Sequence, residues 1–134
     1  MTEGCIFCKI SRGKIPCYQI FENQDHLVFL DAFPTMRGQV LVIPKKHLGG
    51  YLFDLNDEEY IALMRISKRV SQAIDESLGA MRTCMIVEGL DVDHVHVKLY
   101  PLFEGEMLNL KDKVKLSEFE MSQLSKKIAD KMAE

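Results

Sequence analysis

The run from His94 to Tyr100, His-Val-His-Val-Lys-Leu-Tyr, alternates strictly between polar and apolar side chains. A period of two marks a half-buried strand, with same-face side chains ~6.5–7 Å apart. Val95, Val97 and Leu99 take one face, and His94, His96 and Lys98 the other. Three polar groups on a core face would be desolvated, so the polar row is expected to face a cleft or solvent. Two readings follow. The row is a plain exposed face with two incidental histidines, or it carries chemistry, because a neutral imidazole is both a nucleophile and a metal ligand near working pH.

Around this strand the sequence organises as one α+β domain over residues 1–134. Asn56 with Glu59 forms a capping box, and Tyr60, Leu63, Met64, Ser67, Val70, Ile74 and Leu78 hold nearly one face before Gly79. This predicts a long amphipathic helix, Asp57–Leu78. Ser117 with Glu120 is a second box, and the stripe Met121, Leu124, Ile128 and Met132 predicts a C-terminal helix at about 116–133. Tyr18–Glu22 and Leu27–Asp31 flank a polar turn, Asn23–His26, and read as a hairpin. Val40–Ile43 stops at Pro44, and Thr83–Glu88 stops at Gly89. Strands come in succession before and after the long helix without βαβ alternation, which favours an antiparallel sheet.

Net charge is −3, from 17 basic and 20 acidic residues, which gives no footprint for nucleic acid. A small phosphate ligand remains compatible with it, since one local site overrides a weak global field. No apolar run approaches the ~20 residues of a membrane span. Met1–Lys9 lacks a basic start and an apolar stretch, so a cytoplasmic protein is expected. There the four cysteines are not staples. Cys17 and Cys84 read as packed thiols. Cys5-Ile6-Phe7-Cys8 is a redox pair, two structural thiols, or half of a zinc site. A redox pair should follow a strand, whereas this one precedes every predicted strand. A zinc site needs two more ligands, and His26, His47, His94 and His96 are available.

Taken together, Cys5–Ile10, Gly13–Pro16, Phe29-Leu30-Asp31, Leu41–His47 and His94–Pro101 resemble, in order and spacing, the histidine-triad (HIT) family of nucleotide hydrolases and transferases, in its zinc-containing bacterial branch. The motif-bearing core spans about residues 5–103. The resemblance implies an antiparallel sheet of about five strands, one long helix, a short N-terminal helical segment and an extra C-terminal helix. It places structural zinc on Cys5, Cys8, His47 and His94. His96 falls on the nucleophile that attacks the α-phosphorus and forms a nucleotidyl-histidine. Asp31 falls on the carboxylate that holds the ribose hydroxyls, and Ile6, Phe7, Ile10 and Phe29 on the pocket that sandwiches the base. The implied ligand is a purine nucleotide or nucleotide conjugate, and the implied assembly a homodimer.

The sequence departs from the family pattern at the third triad histidine, which is Lys98, placed here with His96 in the catalytic pair. It departs also at Val87, in place of a phosphate-contacting asparagine, and in the shortened segment Leu90-Asp91-Val92-Asp93, whose carboxylates would repel a phosphate unless they point away. Gln39 stands where many members carry a histidine. Two functions are therefore weighed: a hydrolase or transferase working through His96, and a nucleotide-binding sensor or interaction module without turnover. A Lys98 poised for proton transfer supports the first, and a simply charged one the second. As a cation beside the leaving group, Lys98 predicts a preference for phosphoanhydrides over phosphoramidates.

Overall fold

The computed structural model describes residues 2–134; Met1, the first residue of the stretch read above for targeting, lies outside them. A short helix, α1 (Ile6–Ser11), precedes strands β1 (Gln19–Glu22), β2 (His26–Leu30) and β3 (Val40–Pro44). The long helix α2 (Asp57–Leu78) follows, then β4 (Arg82–Ile86), β5 (Val97–Leu102) and the C-terminal helix α3 (Glu118–Met132). The strands form one sheet in the order β1-β2-β3-β5-β4, every neighbouring pair antiparallel. The expected α+β architecture, with about five strands and an extra C-terminal helix, is present.

Both capping boxes close as the sequence predicts. Asn56 and Ser117 each accept from the backbone N–H three residues on, and Glu59 and Glu120 reach back to the cap N–H. Gly79 ends α2 at φ 73°, the left-handed conformation glycine adopts without a Cβ penalty.

The two faces of the sheet bury two separate cores. Val28, Leu30, Val40, Val42, Val97 and Leu99 point toward α2 and α3. Their alternates Leu27, Phe29, Leu41 and Ile43 point the other way and pack against Cys5, Phe7 and Cys8 of the α1 segment. β2 and β3 are therefore buried on both faces, which explains why Val40–Ile43 is unbroken apolar sequence. The C-terminal helix belongs to the main core. Leu124 and Ile128 are fully buried, and Arg69 of α2 donates to the Met132 carbonyl at 2.7 Å while stacking over Phe21.

Several strand limits differ from the sequence expectation. β5 starts at Val97, not His94, because its partner β3 ends at Pro44, which has no N–H for a ladder. The Pro44 carbonyl instead accepts from the His94 imidazole. His26 belongs to β2 rather than to the turn, and is buried. β4 ends at Ile86, with Val87 packed at the margin of the main core. Cys17 and Cys84 are half-buried, and Cys17 packs against the second core.

Candidate functional site

The short helix α1 organises two adjoining centres on the sheet face opposite α2. Cys5 is its N-cap, and its sulfur accepts from the Cys8 N–H at 3.4 Å. Cys8 is thus turned toward Cys5 and toward two histidines. Cys5 Sγ lies 3.3 Å and Cys8 Sγ 3.5 Å from His94 Nδ1, and Cys8 Sγ lies 3.4 Å from His47 Nδ1. All four ligand atoms are within 4.8 Å of one another. Arms of ~2.0–2.3 Å to a tetrahedral zinc give edges of ~3.3–3.8 Å, which matches the three sulfur–nitrogen separations of 3.3, 3.4 and 3.5 Å. The donor chemistry fits as well. His94 Nε2 donates to the Pro44 carbonyl at 2.8 Å, so Nδ1 keeps its lone pair for a cation. Burial lowers the His94 pKa, which keeps the ring neutral, and burial with neighbouring Cys5 pushes the Cys8 thiol up. The redox reading of Cys5 and Cys8 therefore gives way to a four-residue group that can hold a metal ion.

The second centre is a cavity of about 700 Å³ beside the first. Ile6, Phe7 and Ile10 of α1, Phe29 and Asp31 at the end of β2, His96 and Lys98 all line it. It therefore brings together every residue singled out above for base, ribose and reaction. Phe7 joins the centres: its ring meets His96 edge-on at 4.9 Å, His94 at 5.8 Å and Phe29 at 6.0 Å between centroids. Lys113 and Glu118, from the C-terminal extension, also line this cavity. Nothing in their sequence context pointed there.

The polar row is not a solvent face. His94 is 0% and His96 1% exposed, because α1 covers them. Desolvation is offset by hydrogen bonds rather than avoided. His96 Nδ1 donates to the His94 carbonyl at 2.7 Å, which assigns the proton to Nδ1 and turns Nε2 toward Asp91 Oδ1, 3.2 Å away. Lys98, at the more open end, donates to Asp91 Oδ2 at 3.0 Å and to Glu88 Oε1 at 3.1 Å. Asp91 thus does not point away, as a bound phosphate would require. Burial works to lower the Lys98 pKa, but the bonds to Asp91 and Glu88 outweigh it and raise it. The ammonium stays charged. Burial similarly works to raise Asp91, yet Lys98 and His96 hold it below the usual carboxylate value.

Asp31 is fixed from two sides. Its Oδ1 accepts from the Phe33 N–H and its Oδ2 from Gln39 Nε2, both at 2.9 Å. The Gln39 amide oxygen in turn accepts from the backbone N–H groups of Thr35 at 2.7 Å and Met36 at 3.3 Å. Gln39 therefore acts as a buried brace for the cavity carboxylate. The sequence marked Gln39 only as a polar residue before the Val40 strand that stands where many family members carry a histidine, with no role attached.

The loop that carries Asp91 is set by close backbone packing. Gly89 has φ +70°, and a Cβ there would collide with the Gly50 carbonyl. Gly49 accepts from the Val95 N–H at 2.7 Å. These contacts keep the alternation of His94–His96 without ladder pairing.

The HIT domain matches residues 12–105. An adenosine 5′-monophosphoramidase of Schizosaccharomyces pombe is 39% identical over 99 residues, covering 73% of this chain and 74% of that protein. An uncharacterised HIT-like protein of Borreliella burgdorferi is 31% identical over 134 residues, covering 93% and 96%. Among solved structures, a zinc-bound histidine triad family protein from Mycobacterium smegmatis superposes with a TM-score of 0.85 at 26% identity, covering 99% of this chain and 96% of that one. With its fold, its paired centres and these likenesses in agreement, the chain belongs to the HIT family.

Proposed function

We propose that this protein hydrolyses nucleoside phosphoramidates, with His96 as the nucleophile. The observation that carries the reading is the orientation of His96: Nδ1–H is committed to the His94 carbonyl, so Nε2 is the ring nitrogen that faces the cavity shared with Asp31. In this scheme the base lies among Ile6, Phe7, Ile10 and Phe29, and the ribose hydroxyls bond Asp31. The Nε2 lone pair attacks the α-phosphorus, the phosphorus–nitrogen bond breaks, and the departing amine takes a proton from Lys98. Water then cleaves the nucleotidyl-His96 bond, frees the nucleoside monophosphate and returns a proton to Lys98. Positioning and charge stabilisation supply most of such a barrier reduction.

The leaving group is an amine rather than a phosphate. Lys98, as a cation beside the leaving group, was expected to favour a phosphoanhydride, but Glu88 and Asp91 already occupy its ammonium. Those three side chains carry a net charge of −1, which disfavours a polyanionic leaving group. The names of the fungal relatives support the same chemistry. Zinc on Cys5, Cys8, His47 and His94 would supply a closed structural centre that anchors α1 and the His94 backbone. The reading also takes the protein as a homodimer, supported by the edge position of β4 with Met81 and Met85 exposed.

One observation favours the module without turnover: Lys98 is held charged rather than poised. Replacing His96 separates the two. His96→Ala should abolish release of AMP from adenosine 5′-phosphoramidate and leave adenosine binding within a few-fold, because nucleophilic attack is made only on the way to the transition state. Unchanged turnover in His96→Ala rules out the covalent route, and no turnover in the native protein favours the module.

A further inference from the structure

We propose that Asp91 is a built-in competitor for the phosphate subsite and so sets this site against doubly charged phosphates; the inference rests on the nucleotide reading above. One carboxylate engages both nitrogens that a reacting phosphate would need. Its Oδ1 is 3.2 Å from His96 Nε2 and its Oδ2 3.0 Å from Lys98 Nζ. An oxygen at that place lies where attack by Nε2 must bring the phosphorus. A carboxylate fork and one edge of a phosphate tetrahedron present similar pairs of oxygens, so the two are alternative occupants of the same space, before His96 Nε2 and on the Lys98 ammonium.

The residue is placed to yield. Asp91 sits in the connection between β4 and β5, outside any regular element, and its side chain is 55% exposed. Its one backbone tie is the Val92 N–H, 3.1 Å from Oδ1. Rotation of the side chain into solvent exposes His96 Nε2 and leaves Lys98 paired with Glu88.

Displacement does not remove the charge. A phosphate bound to His96 and Lys98 has the Asp91 and Glu88 carboxylates as neighbours against a single ammonium. A phosphoramidate ester carries one negative charge. The free monophosphate carries about −1.5 to −2 at neutral pH, its second pKa being about 6. Repulsion therefore falls hardest on the product. Asp91 admits the substrate, which has one charge fewer, and weakens retention of the monophosphate that the reaction leaves behind.

The test is calorimetric titration of the native protein, Asp91→Asn and Asp91→Ala with AMP and with adenosine, at one pH and ionic strength. Both substitutions remove the charge, and Asn keeps the shape. AMP affinity should rise ~10-fold in both variants, with adenosine affinity changed less than about twofold because adenosine lacks the phosphate. An AMP-to-adenosine affinity ratio equal to that of the native protein in both variants overturns the inference, as does a loss of AMP affinity, which would make Asp91 a contributor to phosphate binding. Native protein that binds neither ligand, with both variants equally inert, removes the nucleotide reading and this inference with it. Adenosine binding that persists while AMP affinity ignores Asp91 removes the inference alone.

Discussion

Replacing Gln39 by Leu should test whether the cavity carboxylate is held by a buried network. Gln39 is 4% exposed. Its amide nitrogen donates to Asp31 Oδ2 at 2.9 Å, a bond to a charged acceptor worth ~1.5–3 kcal/mol. Its amide oxygen satisfies the Thr35 and Met36 N–H groups in a buried turn. Leu fills the space but leaves both N–H groups unpaired, at ~1–3 kcal/mol for a buried donor. The terms overlap because one side chain makes all the contacts, so the expected loss is ~3 kcal/mol, read as a lower urea midpoint at unchanged slope. Adenosine affinity should fall with it, since Asp31 is freed to rotate, whereas 2′,3′-dideoxyadenosine should be nearly indifferent if Asp31 meets the ribose hydroxyls. Gln39→Glu keeps the acceptor oxygen but sets two carboxylates face to face. It should recover stability relative to Gln39→Leu as pH falls to about 5, where the pair can share a proton. A stability loss below about 0.5 kcal/mol in Gln39→Leu, the size of an ordinary surface change, would refute the network.

Two further outcomes are expected. Purified protein should carry about one zinc per chain, and Cys5→Ser or His47→Ala should lower metal content and melting temperature together; fully stable protein prepared without chelator and free of metal contradicts the ligand set. The second concerns His26, which is buried with its Nδ1 unpartnered among the described residues. Burial lowers its pKa, against a smaller opposite effect of Asp25. The unfolded chain therefore takes up a proton below about pH 6.5 that the folded chain refuses, so stability present above that pH is lost as pH falls. Urea unfolding at pH 7.5 and 5.5, with metal content matched, should show a smaller pH difference in His26→Phe than in the native protein. Equal differences would assign the acid sensitivity elsewhere.

The fold was legible where local rules agree with tertiary packing. The Asn56–Glu59 and Ser117–Glu120 boxes mark helix starts at residue resolution because each is a closed local exchange of hydrogen bonds. The alternation of Val95, Val97 and Leu99 assigned the core face correctly. The opposite face was left open between cleft and solvent, because hydropathy reports the cost of burying a histidine but not the partner that offsets it; His96 and Lys98 line the cavity. His94 meets Pro44, 50 residues earlier in the chain, and His96 meets its own near backbone. The four residues from three segments that can hold a metal were legible only through the family resemblance, since spacing alone left His26 and His96 as equal candidates. Asp91 was seen as a charge near the phosphate, but its turn toward His96 is set by the Gly50–Gly89 backbone approach, for which isolated glycines gave no signal. Lys113 and Glu118 reach the cavity because Val114 N–H bonds the Pro34 carbonyl at 2.8 Å and Asn109 donates to the Thr35 carbonyl at 3.0 Å. Those pairings join segments about 75 residues apart, beyond any local pattern.

The two centres are joined through His94 and Phe7, and on the proposed reading that junction explains why a metal group remote from the chemistry would matter to it. His94 uses all its polar groups. Nδ1 faces the thiols, Nε2–H fixes the ring against Pro44, and the backbone carbonyl takes the His96 Nδ1 proton. In the proposed mechanism the last bond would decide which His96 nitrogen attacks. If His94 moves, His96 is free to exchange tautomers, and the nitrogen facing the cavity can then carry the proton and lose its lone pair. Phe7 follows the same logic on the ligand side, since it lies between Cys5 and Cys8 in sequence and against His96 and Phe29 in space. On the proposed reading, loosening the thiols would therefore shift both the cavity wall at Phe7 and the tautomer of His96 at once. A structural metal held here would, on the proposed reading, constrain binding and chemistry through two covalently continuous paths, the α1 turn and the His94–His96 backbone. Neither path requires the ion to touch a substrate atom.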